Sequence, residues 1–116
     1  MNEKIVYNLS ENSLKLGVSP EVLKKLLAKS YPGFLTEVDI LKNAEAKGDY
    51  SQLKITAHKL KGSFGNYLLS EAYDCAVIIN DNSEEEIDYP YEDKIHEMEN
   101  YLNAVKKELN LEISNG

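Results

Sequence analysis

Residues 49–67 read DYSQLKITAHKLKGSFGNY, and within them Leu53, Ala57, Leu60, Phe64 and Tyr67 recur in alternating steps of four and three. A helix turns about 100° per residue, so such steps return to one side and predict a single apolar face. Lys47-Gly48-Asp49 stands in front of it. Glycine ends a preceding helix, and the aspartate side chain can accept from the free amides that open the next one. This junction places a helix on each side of Gly48.

Upstream, Ser19-Pro20-Glu21 combines an N-cap, a proline at the first helical position and an acid near the positive end of the dipole. Leu23, Leu26, Leu27, Tyr31, Phe34, Leu35, Val38 and Leu41 then form a stripe. Pro32-Gly33 is expected to kink or break it, because proline lacks a donor and crowds the preceding turn. Leu9, Leu14 and Leu16 suggest a short accessory helix before residue 19. Downstream, a turn is expected around 68–70, with Ser70 capping a helix that carries Ala72, Cys75, Ala76, Ile78 and Ile79. Asn80-Asp81-Asn82-Ser83 reads as a loop leading into an acidic stretch. Pro90 opens a last helix with Tyr91, Ile95, Met98, Leu102, Val105 and Leu109 on one face. That stripe lasts under about three heptads, so core packing is expected rather than a coiled-coil seam. The tail from Leu111 is expected to fray. With only three prolines and no alternating β-branched runs, the chain reads as all-α: an antiparallel four-helix bundle over 19–113, with residues 1–18 as an N-terminal extension or short accessory helix.

Composition narrows the functions. The 116 residues fit one domain, and 42% are hydrophobic, too many for a disordered acidic chain. The net charge is −7, and all 13 basic residues are lysine. Acidity and the absence of arginine argue against nucleic acid and anionic membranes as partners. From Asp81 to Glu99 nine acids face one lysine, whereas Lys42–Lys61 holds five lysines and two acids. No apolar run approaches the ~20 residues that span a bilayer, so no membrane insertion is expected. The opening MNEKIVYNLSENS lacks the pattern of a signal peptide. The single cysteine, Cys75, excludes an internal disulfide and a cysteine-rich zinc site. A cytoplasmic setting is the expectation.

Two histidines supply the chemistry. Winding residues 49–67 as a helix with His58 at zero puts Gly62 at about +40°, Gly65 at about −20°, Lys61 at about −60° and Ile55 at about +60°. Leu53, Leu60, Phe64 and Tyr67 fall on the far side, so His58 is expected to face water. A glycine within a helix costs about 1 kcal/mol relative to alanine. Two of them beside an exposed imidazole suggest access for a large partner. Free histidine has a pKa of about 6.5, so a neutral nucleophilic ring is accessible near neutral pH. Lys61 is one turn away, able to hold an anion attached to the ring. Lys59 points further off and adds field, while Ile55 and Leu69 suggest an apolar docking rim. His96 in His96-Glu97-Met98-Glu99-Asn100 lacks the second histidine of a zinc-protease helix and reads as a surface residue. Cys75 reads as core, and the acidic stretch 84–88 as a solvated loop. No metal site is expected.

Ala57-His58-Lys59-Leu60-Lys61-Gly62-Ser63 resembles the signature of histidine-containing phosphotransfer (HPt) domains, approximately A-H-x-L-K-G-S/A. The resemblance extends from about Leu26 to Ile79. It implies that His58 accepts and donates a phosphoryl group and that Lys61 balances its charge. Gly62 and Gly65 would leave room for an incoming receiver domain, with Ile55, Lys59 and Leu69 around them. It further implies a carrier rather than an independent enzyme. The partners would be response-regulator receiver domains or a sensor histidine kinase, and the receiver rather than this chain would hold Mg²⁺. There is no Gly-rich nucleotide loop for ATP, no intrinsic cofactor is implied, and a monomer is expected. Many members carry glycine ten residues after the histidine; Leu68 stands there in this chain, so the following turn is expected to differ. The alternative is a helical-bundle adaptor that binds a signalling partner without phosphorylation.

Overall fold

A computed structural model describes residues 5–113. Among these residues the chain is all-helical: α1 (Leu9–Leu16), α2 (Pro20–Lys47), α3 (Tyr50–Asn66), α4 (Ser70–Glu84) and α5 (Tyr91–Leu109). Local chemistry explains most of the boundaries. Ser19 caps α2, its Oγ accepting the Val22 amide at 3.2 Å. Gly48 ends α2 at φ 65°, in the left-handed region that glycine adopts without a Cβ clash. Asp49 then caps α3, its Oδ1 accepting the Gln52 amide at 3.0 Å. The two-residue junction 48–49 therefore sends the chain straight from α2 into α3.

Pro32-Gly33 does not break the chain; α2 runs through it without interruption. The proline and glycine both lie on the exposed side. Tyr31 and Phe34, which flank them, are buried against the other helices. The Tyr31 hydroxyl donates to the Leu102 carbonyl on α5. The Phe34 ring meets Phe64 edge-on at 5.1 Å and Tyr67 at 6.2 Å. Two aromatic anchors on either side hold the backbone helical although one of its hydrogen bonds is lost.

Two further expectations are corrected. Asn80-Asp81-Asn82-Ser83 is not a loop but the last turn of α4, with Asn80 and Ser83 buried. Their polar atoms are satisfied locally: Ser83 Oγ donates to the Asn80 carbonyl at 3.1 Å, and Asn80 Nδ2 to Asp81 Oδ1 at 3.1 Å. Ser70 does not cap α4; it is the first helical residue, and Leu69 occupies the cap position with no side-chain bond. The tail is also held as far as the structure describes it. Leu111 is buried and its amide donates to the Lys106 carbonyl, while Ile113 packs on the core. The last three residues lie outside the described range.

The stripes named from the sequence build the core. Leu53, Ala57, Leu60 and Phe64 of α3 are buried, as are Tyr91, Ile95, Met98, Leu102 and Val105 of α5. On α2, Leu26 is exposed and Leu35 only half-buried, while Leu23 and Leu27 are buried. α2 packs on α3, α3 on α4, α4 on α5 and α5 back on α2, so these four enclose one core, and α1 rests against α2. Each large side chain buried there contributes about 1.5–3 kcal/mol. No described helix is long and apolar enough to cross a membrane.

Candidate functional site

The site is one face of α3. Because Leu53, Ala57, Leu60 and Phe64 are drawn into the core, the opposite side of the helix must face outward. His58, Gly62 and Gly65 are exposed on it, and Lys61 is half-buried. Ile55 is exposed at 57%, unusual for an isoleucine, one turn before the histidine. Beside it a surface groove of about 470 Å³ separates the start of α3 (Asp49, Tyr50, Lys54) from the end of α4 (Ser83, Glu84).

The two lysines flanking His58 are in different electrostatic situations. Lys59 Nζ lies 2.7 Å from Glu37 Oε1 on α2, and this pair neutralises it locally. The other ion pairs among the described residues are Lys15–Glu11, Lys42–Glu99 and Lys94–Glu97, so Lys61 carries a charge with no carboxylate partner among them. Lys61, one helical turn after His58, is thus a cation left available to an anion on the imidazole, and Lys54, one turn before it, also has no carboxylate partner among the described residues. Lys59 is tied to α2 instead.

The glycines also differ. A Cβ built at Gly62 would meet nothing within 4 Å, so the fold itself has no steric need for glycine there. A Cβ at Gly65 would meet the Tyr73 ring of α4 at 3.5 Å. Gly65 is therefore not wholly open to a partner; an aromatic ring of this chain already lies beside it. Leu69 is a correction. It is fully buried and cannot form part of a docking rim. The reason is the turn that precedes it: Leu68 adopts φ 58°, which swings Leu69 inward. The Leu69 amide donates to the Phe64 carbonyl at 2.9 Å and the Leu68 amide to the Gly65 carbonyl at 3.2 Å, the bonding pattern of a helix stop usually built on glycine. Leu68 thus takes the conformation that glycine would take.

Sequence reasoning missed Glu37 and Tyr73 as neighbours of this face. Neither carries a local signal, because 22 residues separate Glu37 from Lys59 and a turn separates Gly65 from Tyr73. Elsewhere, His96 is exposed on α5. Cys75 is buried, its Sγ 3.3 Å from Glu97 Oε2. Burial, reinforced by that carboxylate, pushes the Cys75 thiol up to about 12 and keeps it protonated. Glu97 is held below the usual carboxylate range by the Lys94 ammonium and the Cys75 thiol. Among the described residues no cluster of His, Cys, Asp and Glu is arranged to hold a metal ion. No family model, curated protein or solved structure matches the chain.

Proposed function

We propose that the protein is a histidine phosphocarrier. His58 takes a phosphoryl group from, and returns it to, the aspartates of response-regulator receiver domains in a two-component phosphorelay. The observation that carries this reading is an exposed imidazole with an uncommitted lysine one turn away and an open glycine beside it, on a helix whose other side is core. In the forward step the lone pair of a neutral ring nitrogen attacks phosphorus and an N–P bond forms. The P–O bond to the aspartate breaks, and the carboxylate leaves with the electron pair. Phosphoryl transfer of this kind depends on in-line positioning and neutralisation of charge. Lys61 supplies one positive charge, and the receiver supplies Mg²⁺ and the remaining groups. This chain is then a substrate and relay rather than an independent catalyst, and a single exposed histidine serves as well in a monomer.

The fold belonging to this reading is an antiparallel four-helix bundle with α1 as the accessory helix. Cross-helix pairs run in opposing order: Ser30 with Tyr67 and Glu37 with Lys59 between α2 and α3, Gly65 with Tyr73 at the α3–α4 turn. A cytoplasmic location goes with the proposed partners, a receiver or a sensor histidine kinase.

The test is phosphate transfer from a panel of phosphorylated receiver domains or from a sensor kinase. The protein should acquire acid-labile, alkali-stable phosphate. His58→Gln should remove all of it while leaving helical content unchanged, and label surviving in that variant would refute the site. Binding to a receiver with no label in the parent protein would instead match an adaptor that works without phosphorylation.

A further inference from the structure

Residues 5–8 form neither helix nor strand, yet they are pinned at three points. The two oxygens of Glu108, near the end of α5, each accept one backbone amide, from Val6 and from Tyr7, both at 2.9 Å. The Tyr7 ring is buried, and its hydroxyl donates to the Tyr67 carbonyl at 2.7 Å. Tyr67 is the cap residue of α3, immediately before Leu68. Its own hydroxyl accepts from Ser30 Oγ at 3.0 Å. The N-terminal segment therefore grips the carbonyl that adjoins a left-handed leucine.

A leucine at φ 58° is strained by its Cβ and persists only where the surroundings over-determine it. Three things hold it: the Leu68 and Leu69 amide bonds back to Gly65 and Phe64, the burial of Leu69 on one side and the Tyr7 bond on the other. The segment itself is held by the exposed Glu108 carboxylate, the Tyr7 hydroxyl and one buried ring, and has no helical or sheet bonding of its own, so it opens at lower free energy than the bundle. A weakly held segment bonded to a strained turn makes a coupled pair, in which the state of one biases the other. We propose that Val6–Tyr7 is a latch: docked, it holds the α3–α4 turn closed, and released, it loosens the last turn of α3, which carries Gly65, while the bundle stays folded. The inference does not depend on phosphotransfer.

Residue-resolved amide hydrogen exchange on the full chain tests it. Tyr7→Phe keeps the buried ring and removes only the hydroxyl. It should speed exchange at the Leu68 and Leu69 amides about three- to tenfold, the effect of losing one such bond. Amides at the centres of α2 and α5 should stay within about twofold. Adding Leu68→Gly removes the strain and should bring the turn back to within about threefold of the parent. Glu108→Gln, an exposed substitution that cannot accept both amides, should produce the same local acceleration and serves if Tyr7→Phe does not fold. The proposal is overturned by unchanged turn amides, by uniform acceleration across all helices, or by failure of Leu68→Gly to restore protection.

Discussion

Gly62 separates what the fold needs from what the proposed function needs. Nothing surrounds its missing Cβ, so Gly62→Ala should raise stability by about 1 kcal/mol through helix propensity alone, read from denaturant unfolding. Gly62→Gln should be tolerated equally well by the fold, yet slow transfer from a receiver on the order of tenfold or more by obstructing its approach. A transfer rate unaffected by the glutamine would mean that the partner does not approach over this face. Lys61→Ala makes the complementary measurement. Stability should move by less than about 0.5 kcal/mol, as for a surface residue without an ion pair, while transfer slows about tenfold from the loss of one neutralising charge. His58, Lys61 and Gly62 were legible at this scale because helical periodicity alone sets their direction. Leu69 was not. Its direction depends on the backbone of Leu68, and a left-handed leucine leaves no mark in a hydropathy pattern.

At the scale of elements, the rotation of α3 decides everything about the site, and Leu60 reports it. Leu60 is 1% exposed, so Leu60→Ala should cost about 2–5 kcal/mol, measured by equilibrium unfolding. Leu26→Ala on α2 should cost far less, because that side chain is 39% exposed although it belongs to the same sequence stripe as Leu23 and Leu27. Comparable costs for the two substitutions would contradict the packing described above. The helix ends at Ser19, Gly48 and Asp49 were readable because capping is an interaction within four or five residues. The continuity of α2 through Pro32 and the extension of α4 over Asn80–Ser83 were not. In both places local propensity favours a break; at Pro32 it is outweighed by burial of Tyr31 and Phe34 against partners distant in sequence, and at the end of α4 Asn80 and Ser83 are buried with their side chains bonded within the helix itself.

Across the whole molecule, burial of neutral acids sets the alkaline limit of stability. Burial pushes the Cys75 thiol and the Tyr101 hydroxyl each up to about 12 and raises Tyr31 as well. The folded state therefore keeps protons that the unfolded chain releases. This contribution is complete below the ordinary thiol value of 9.0 and is lost as pH rises from there toward about 12. Unfolding free energy should be level from neutral pH to about 9 and decline above it. Cys75→Ala should flatten the first part of that decline, and an unchanged slope would show that the thiol does not contribute. Helical character, the apolar faces, the α2–α3 junction and the outward direction of His58 follow from periodicity and capping, which act over a few residues and so are written in the order of the side chains. The pairing of Lys59 with Glu37, the Tyr73 ring beside Gly65, the inward turn of Leu69 and the grip of Tyr7 on Tyr67 were decided only by packing. Each joins groups that the chain brings together only after the helices have closed around their common core.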